Sequence, residues 1–345
     1  MPALAVADAL RSRGADVEFI GGERAEAELV PAAGYPFHTL RVVGIDRSDP
    51  LRAARAVLLA ARATGRARRL LRQIGADAVL GGGGYVAGPV GLAARTLRIP
   101  LVLTEADSHL GMSNRLLAPF AARVCLAFPL PGRSGSKWLV TGRPVPLGTV
   151  GGDQAAARAR LGVPSEGPCL LVFGGSLGAR RLNEAALEAF GPAAPCSVLH
   201  AAGRRDFDSL RERLDELGSP PHYRLFPYVE PFADALAAAD LAAARAGGSV
   251  FELAAAGLPS ILVPYPHATG DHQEANARFM ADAGAAVVIA DAELDAPRLS
   301  REVGELLAAP QRMAEMANAA GAVARPDAAE RVASELLALV ANGGQ

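Results

Sequence analysis

The sequence predicts an α/β protein made of two doubly wound halves, each a parallel sheet with helices on both faces. Three observations carry that expectation. Short aliphatic runs alternate with longer Ala-, Leu- and Arg-rich stretches, the rhythm of βαβ units. Glycine-rich turns at 81–85, 174–180 and 245–252 each follow an aliphatic run and lead into a helix pattern, as at the carboxyl ends of parallel strands. Finally, Thr141-Gly-Arg-Pro-Val-Pro-Leu-Gly148 interrupts the middle of the chain, where Pro144 and Pro146 prevent a helix or a central strand from continuing.

The first element is a helix over 2–13, with Leu4, Ala7 and Leu10 on one face and Gly14 as its stop. Strands are predicted at 17–20, 78–80, 100–103, 124–127, 169–173, 197–201, 223–226, 241–244, 260–263 and 286–289. Helix patterns at 186–190, 207–217 and 251–256 fall between them, and a last helix over about 328–340 follows Pro326. The expected division is residues 1–145, 146–325 and a terminal helix 326–345 able to pack back on the first half. A doubly wound half normally opens with a strand, a Gly-rich turn and then a helix, whereas here the helix comes first. The expectation is that a further strand and turn lie about 10 to 20 residues upstream.

Length and composition bound the function. At about 150 residues per domain, 345 residues suggest two domains. Half the residues are apolar, 21% are charged and 5% are aromatic, which describes a globular protein with an aliphatic core. A net charge of -1 supplies no global field for a polyanion, so no nucleic acid partner is expected. Cys125, Cys169 and Cys196 lie far apart without CxxC spacing and read as reduced core thiols. Charged residues from Asp8 to Glu23 leave no apolar run for a signal peptide, and a cytoplasmic protein is expected.

Four segments carry chemistry. In 174–180 (GGSLGAR), glycines would let backbone approach a phosphate, the following helix offers free N–H groups, and Ser176 adds a hydroxyl; a plain tight turn capped by Ser176 is the other reading. Gly81 to Gly84 followed by Tyr85 suit close approach by a ligand or another domain, or else a flexible connector. In 245–252, Glu252 could accept hydrogen bonds from ribose hydroxyls or simply complement a helix dipole. In 264–276, Gln273 and Asn276 share a helical face and suit sugar hydroxyls. His267 and His272 find no third ligand at a suitable spacing, so no metal is expected.

Taken together, the segments 174–180, 245–259 (RAGGSVFELAAAGLP), 264–276 (PYPHATGDHQEAN) and 81–92 (GGGGYVAGPVGL) resemble the MurG family of peptidoglycan N-acetylglucosaminyltransferases over essentially the whole chain. The resemblance implies a GT-B fold, two Rossmann-like domains facing a cleft. It implies UDP-N-acetylglucosamine as donor and an undecaprenyl-linked muramyl pentapeptide (lipid I) as acceptor, with no cofactor. Gly175 and Ser176 would hold the diphosphate, Val229 the uracil, Ser249 a phosphate and Glu252 the ribose. Gln273 and Asn276 would meet the sugar, and Gly82, Gly83, Gly84 and Tyr85 would face the acceptor. The chain departs from the family at Leu177, where Gln is frequent, and at 105–107, where Glu-Gln-Asn is frequent. It departs again at Pro146, where Arg is frequent, so Arg143 would supply that charge. The family's GGTxGH loop precedes a Pro-Ala-Leu-Ala helix, and this chain begins Met1-Pro2-Ala3-Leu4-Ala5.

The family's His therefore has no counterpart in these residues, and Glu105, Asp107 and His109 are the candidate catalytic groups, Asp107 also a candidate substrate contact, with ordinary loop polarity as their other reading. Alternatives to the transferase are another UDP-sugar enzyme of the same fold, such as a glycolipid transferase or a UDP-N-acetylglucosamine 2-epimerase, or a UDP-sugar-binding remnant without turnover. Residues 47–73 hold eight arginines against Asp49 alone, interspersed with Leu and Val. That pattern suits an anionic membrane surface on the cytoplasmic face, or else a solvated helix whose apolar side meets the core.

Overall fold

The computed structural model describes residues 2–42, 50–146, 148–174, 179–268 and 271–343. The chain forms two compact units, Met1–Pro146 with Arg325–Gln345, and Leu147–Ala324. In the first, the order is α1 (Pro2–Arg11), β1 (Phe19–Gly21), α2 (Glu26–Ala32), β2 (Phe37–Thr39), α3 (Pro50–Ile74), β3 (Val79–Gly81), α4 (Gly84–Leu97), β4 (Leu101–Glu105), α5 (Met112–Leu117), β5 (Arg123–Leu126) and β6 (Trp138–Val140). Strands β3-β4-β5-β6 form one parallel sheet, and β1-β2 form a separate parallel pair.

The pleat of the four-stranded sheet sorts its side chains. Leu101, Leu103, Val124 and Leu126 pack with Ala63, Ala67 and Leu71 of α3 and Val90, Ala93 and Ala94 of α4. Val102 and Cys125 point to the other face, against Ala5, Val6 and Ala9 of α1.

The second unit runs α6 (Gln154–Leu161), β7 (Cys169–Phe173), α7 (Arg180–Phe190), β8 (Ser197–Ala201), α8 (Phe207–Glu216), β9 (Tyr223–Phe226), α9 (Phe232–Ala238), β10 (Leu241–Ala244), α10 (Val250–Ala255), β11 (Ser260–Leu262), α11 (His272–Asp282), β12 (Ala286–Val288), α12 (Ala296–Leu307) and α13 (Pro310–Val323). Its six strands follow the order β12-β11-β10-β7-β8-β9. The order reverses between β7 and β10, which makes the space beyond their carboxyl ends the usual ligand position of such sheets. Both strands are buried throughout, as an aliphatic run covered on two faces must be. Leu182, Leu187 and Phe190 of α7 are buried beneath β7 and β8, each contributing about 1.5–3 kcal/mol of apolar burial. The chain then returns to the first unit as α14 (Ala328–Gly343), which packs along α1 through Ala329, Val332, Ala333 and Leu336. Arg13 pairs with Glu330 and donates to Ser334, and Arg123 Nε lies 3.0 Å from Glu335.

Two strands escaped the sequence pattern. Phe37–Thr39 and Trp138–Val140 are three-residue edge strands, too short for any periodicity to register. Within the basic stretch, Ala63, Ala67 and Leu71 turn to the core while Arg62, Arg66, Arg68, Arg69 and Arg72 are exposed; Arg47, Arg52 and Arg55 lie outside the residues whose side chains are described. No large apolar side chain is exposed beside them among the described residues of α3.

Candidate active site

In the second unit, the described residues after β9, β10 and β11 lie at the carboxyl edge of the sheet. Gly175 and Ser176 lie outside the described residues. Val229 is buried at 3% exposure, three residues after β9, and Tyr228 beside it is half-exposed. Burial first, then the negative charges of Glu230 and Glu252, push the Tyr228 hydroxyl above its ordinary pKa. Ser249 and Glu252 are both partly exposed, one just before α10 and the other in its first turn.

Gln273 and Asn276 have different employments. Gln273 accepts a hydrogen bond from the Tyr265 backbone at 2.9 Å, which leaves its amide nitrogen as a donor. Asn276 is only 2% exposed, and its amide nitrogen holds the carbonyls of Ala246 at 2.9 Å and Gly247 at 3.3 Å. Asn276 thus ties α11 to the Gly turn that leads into Glu252. Its Oδ1 has no hydrogen-bond partner among the described residues.

Beneath that turn lies a cation that the motif reading overlooked. Arg245, 7% exposed, donates to the carbonyl of Val263 at 3.2 Å and to that of Pro264 at 3.4 Å. Its guanidinium forms an ion pair with Asp291 at 2.5 Å and lies 5.5 Å from the Tyr265 ring centre. One buried arginine thereby joins the Gly turn, the loop before Gln273 and the segment after β12. Its signal in the sequence was its position at the end of a strand, but Asp291 lies too far along the chain for spacing to pair them.

In the first unit, the loop after β4 closes on Glu105, which is 7% exposed. Its carboxylate accepts from the backbone N–H of Asp107 at 3.2 Å, from that of Gly111 at 2.8 Å, and from the Asn114 amide at 2.9 Å. A carboxylate so occupied fixes the loop and is poorly placed to take a proton. Asp107 is partly exposed on this loop and His109 is exposed. Asn114 also donates to the Thr104 carbonyl at 2.9 Å, and its Oδ1 is unpartnered among the described residues. Gly83 and Gly84 enter α4 with φ of 81° and 73°, which disfavours any side chain there. A Cβ on Gly83 would come within 3.9 Å of the Asn114 amide, and Ser113 Oγ donates to the Gly84 carbonyl at 2.6 Å. The structure thus brings Gly83, Gly84, Glu105 and Asn114 together, with Gly82 and Tyr85 exposed alongside. Arg143 is half-buried in the segment before the unit boundary. Neither His267 nor His272 belongs to a group of three or more potential metal ligands among the described residues.

Residues 1–126 match the glycosyltransferase family 28 N-terminal domain, and residues 169–332 match the C-terminal domain of the same family. With two parallel-sheet units, these matches define the class as a GT-B glycosyltransferase. A transferase of Moorella thermoacetica named UDP-N-acetylglucosamine--N-acetylmuramyl-(pentapeptide) pyrophosphoryl-undecaprenol N-acetylglucosamine transferase is 40% identical over 358 residues, covering 99% of this chain and 96% of its own. A relative of the same name from Rubrobacter xylanophilus is 42% identical, covering 96% and 98%. The crystal structure of Acinetobacter baumannii MurG superposes with a TM-score of 0.75 at 31% identity, covering 98% of this chain and 95% of that one. The chain belongs to the MurG family.

Proposed function

We propose that this protein transfers N-acetylglucosamine from UDP-N-acetylglucosamine to the C4 hydroxyl of the muramyl sugar of an undecaprenyl-pyrophosphoryl pentapeptide, inverting the anomeric carbon. The observation that carries the reading is the carboxyl edge of unit 2. There a Gly turn held by Asn276, a buried Arg245 and the partly exposed Glu252 lie beside the reversal of strand order. Transferases of that activity at about 40% identity support it. In this reading Gly175 and Ser176 meet the diphosphate, Val229 the uracil, Ser249 a phosphate, Glu252 the ribose and Gln273 the sugar. Asn276 acts chiefly by fixing the Gly turn. Arg143 adds charge, and Gly82 to Tyr85 face the acceptor.

The acceptor oxygen attacks the anomeric carbon, the bond to the UDP oxygen breaks with its electron pair leaving on UDP, and the hydroxyl proton passes to a base. With Glu105 occupied by three donors, Asp107 and His109 are the groups on this loop available to receive it. Backbone N–H groups at the start of α7 would meet the charge left on UDP. UDP release, measured with and without a soluble lipid I analogue, tests the reading. Release that requires the analogue and yields the disaccharide is expected. Acceptor-independent epimerisation of the donor would replace the reading with the 2-epimerase.

For the acceptor's membrane, we propose a peripheral site on the cytoplasmic face. None of the described helices is long and apolar enough to cross a bilayer. On α4, α5 and the turn after it, Leu92, Met112, Leu116 and Phe120 are exposed at 44%, 51%, 66% and 48%. Arg95, whose guanidinium stands 5.7 Å from the Phe120 ring, and Arg98 line an adjoining groove of about 350 Å³ with Phe120. This combination suits an anionic lipid surface better than arginines alone. Co-sedimentation with anionic and neutral vesicles tests it. Leu116→Glu with Phe120→Glu should abolish binding to anionic vesicles, and Arg66, Arg68, Arg69 and Arg72→Gln should only weaken it. Undiminished binding by the first variant would overturn this face.

A further inference from the structure

Behind the start of α7 lies a chain of polar side chains that no step of the reaction uses. His200 of β8 is completely buried, Tyr223 opening β9 is 3% exposed, Asn183 of α7 is completely buried, and Asp206, just before α8, is 3% exposed. His200 Nδ1 stands 2.7 Å from the Tyr223 hydroxyl, and Nε2 stands 3.1 Å from Asn183 Oδ1. Asn183 Nδ2 donates to the Ala202 carbonyl at 2.9 Å and to Asp206 at 3.1 Å.

The chemistry of these groups sets the direction of the chain. An amide oxygen only accepts, so His200 carries its proton on Nε2, and its Nδ1 accepts from Tyr223. Burial holds the imidazole pKa down at about 3, so the ring is neutral at ordinary pH. Every bond therefore points from Tyr223 toward the Asp206 carboxylate. That carboxylate is flanked by Arg205 at 3.2 Å and by Arg180, the first residue of α7, at 3.5 Å.

An apolar core would stabilise these strands at lower desolvation cost. What the polar chain adds is direction. Asn183 makes its bonds from the first turn of α7 to the carboxyl end of β8, so the turn can neither slide along its axis nor rotate without breaking them. Only six residues separate β7 from α7, so that turn lies within a short reach of the end of β7.

We propose that Asn183, held between His200 and Asp206, is a positioning residue for the donor diphosphate, setting the first turn of α7 so that its free N–H groups and Arg180 meet the phosphates. The proposal rests on the reading of the 174–180 segment as the diphosphate site. It separates the diphosphate from the nucleoside, because Val229 and Glu252 stand on other elements.

Calorimetry of the full chain with UDP and with uridine tests it. Wild type should bind UDP more tightly than uridine. Asn183→Ala should reduce that preference about tenfold and Asp206→Asn about threefold, with uridine affinity unchanged. His200→Gln, whose amide can still donate to Asn183, should retain more of the preference than His200→Leu. In turnover, KM for the donor should rise while KM for the acceptor stays fixed. Equal weakening of UDP and uridine, or an intact preference in both Asn183→Ala and Asp206→Asn, would overturn the proposal. If Asn183→Ala fails to fold, Asp206→Asn decides alone. A wild type that does not distinguish UDP from uridine would instead overturn the diphosphate reading, and the proposal with it.

Discussion

In unit 1 a carboxylate, Glu105, is buried at the end of β4; in unit 2 a guanidinium, Arg245, is buried just after β10. Both stand beside a buried asparagine, Asn114 or Asn276, whose amide nitrogen holds backbone carbonyls and whose Oδ1 is unpartnered among the described residues. The same kind of clamp is thus built around opposite signs. A carboxylate gathers N–H donors inward. A guanidinium gathers carbonyls, and at Arg245 its charge is met by Asp291. The sheets differ as well. Unit 2 has six continuous strands, whereas unit 1 has β1-β2 standing apart from β3-β6.

The largest effect expected from breaking this symmetry is at Asp291. Asp291→Ala leaves Arg245 buried without its counter-charge and should cost about 3 kcal/mol in the unfolding transition of unit 2, as followed by urea titration. Glu105→Gln keeps the shape and some of the acceptors, and should cost unit 1 only about 1.5 kcal/mol in the same titration. Equal costs would mean that the two clamps are energetically alike despite their charges.

Next in size, Glu252→Ala should weaken UDP binding by about 1.5–3 kcal/mol, because it removes charge-assisted hydrogen bonds. Wild-type affinity in a folded variant would return Glu252 to a helix-dipole role.

His200 gives unit 2 a pH dependence. Its pKa is about 3 when folded against 6.5 unperturbed, so the unfolded chain takes up a proton first as the pH falls. The stability held by neutral His200 is complete above pH 6.5 and is lost progressively toward pH 3. Between pH 7.5 and pH 5 the advantage of wild type over His200→Gln should shrink by about 2 kcal/mol in thermal or urea unfolding. A pH-independent difference would remove the burial argument. The smallest effect is expected of Ser176→Ala, about 0.5–1.5 kcal/mol in UDP affinity, since backbone N–H groups would remain for the phosphates. A loss larger than that of Glu252→Ala would transfer the main anchoring role to the hydroxyl.

By itself the sequence determined the α/β alternation, most of the strands and the Gly turns that end several of them, because aliphatic runs and φ-permissive residues act over a few neighbours. The segments that mark the family are contiguous, and so are equally legible. Tertiary structure decided what those neighbours could not. It made strands of Phe37–Thr39 and Trp138–Val140, which exist only because β1 and β5 pair with them. It turned Ala63, Ala67 and Leu71 of α3 inward and left Arg62, Arg66, Arg68, Arg69 and Arg72 outside, a choice that a repeating pattern permits but does not make. It gave Glu105 three donors, and it paired Arg245 with Asp291 and Asn183 with His200. Buried polar groups must find partners wherever the fold brings them, and those partners lie dozens of residues away or across a turn, beyond the reach of local spacing.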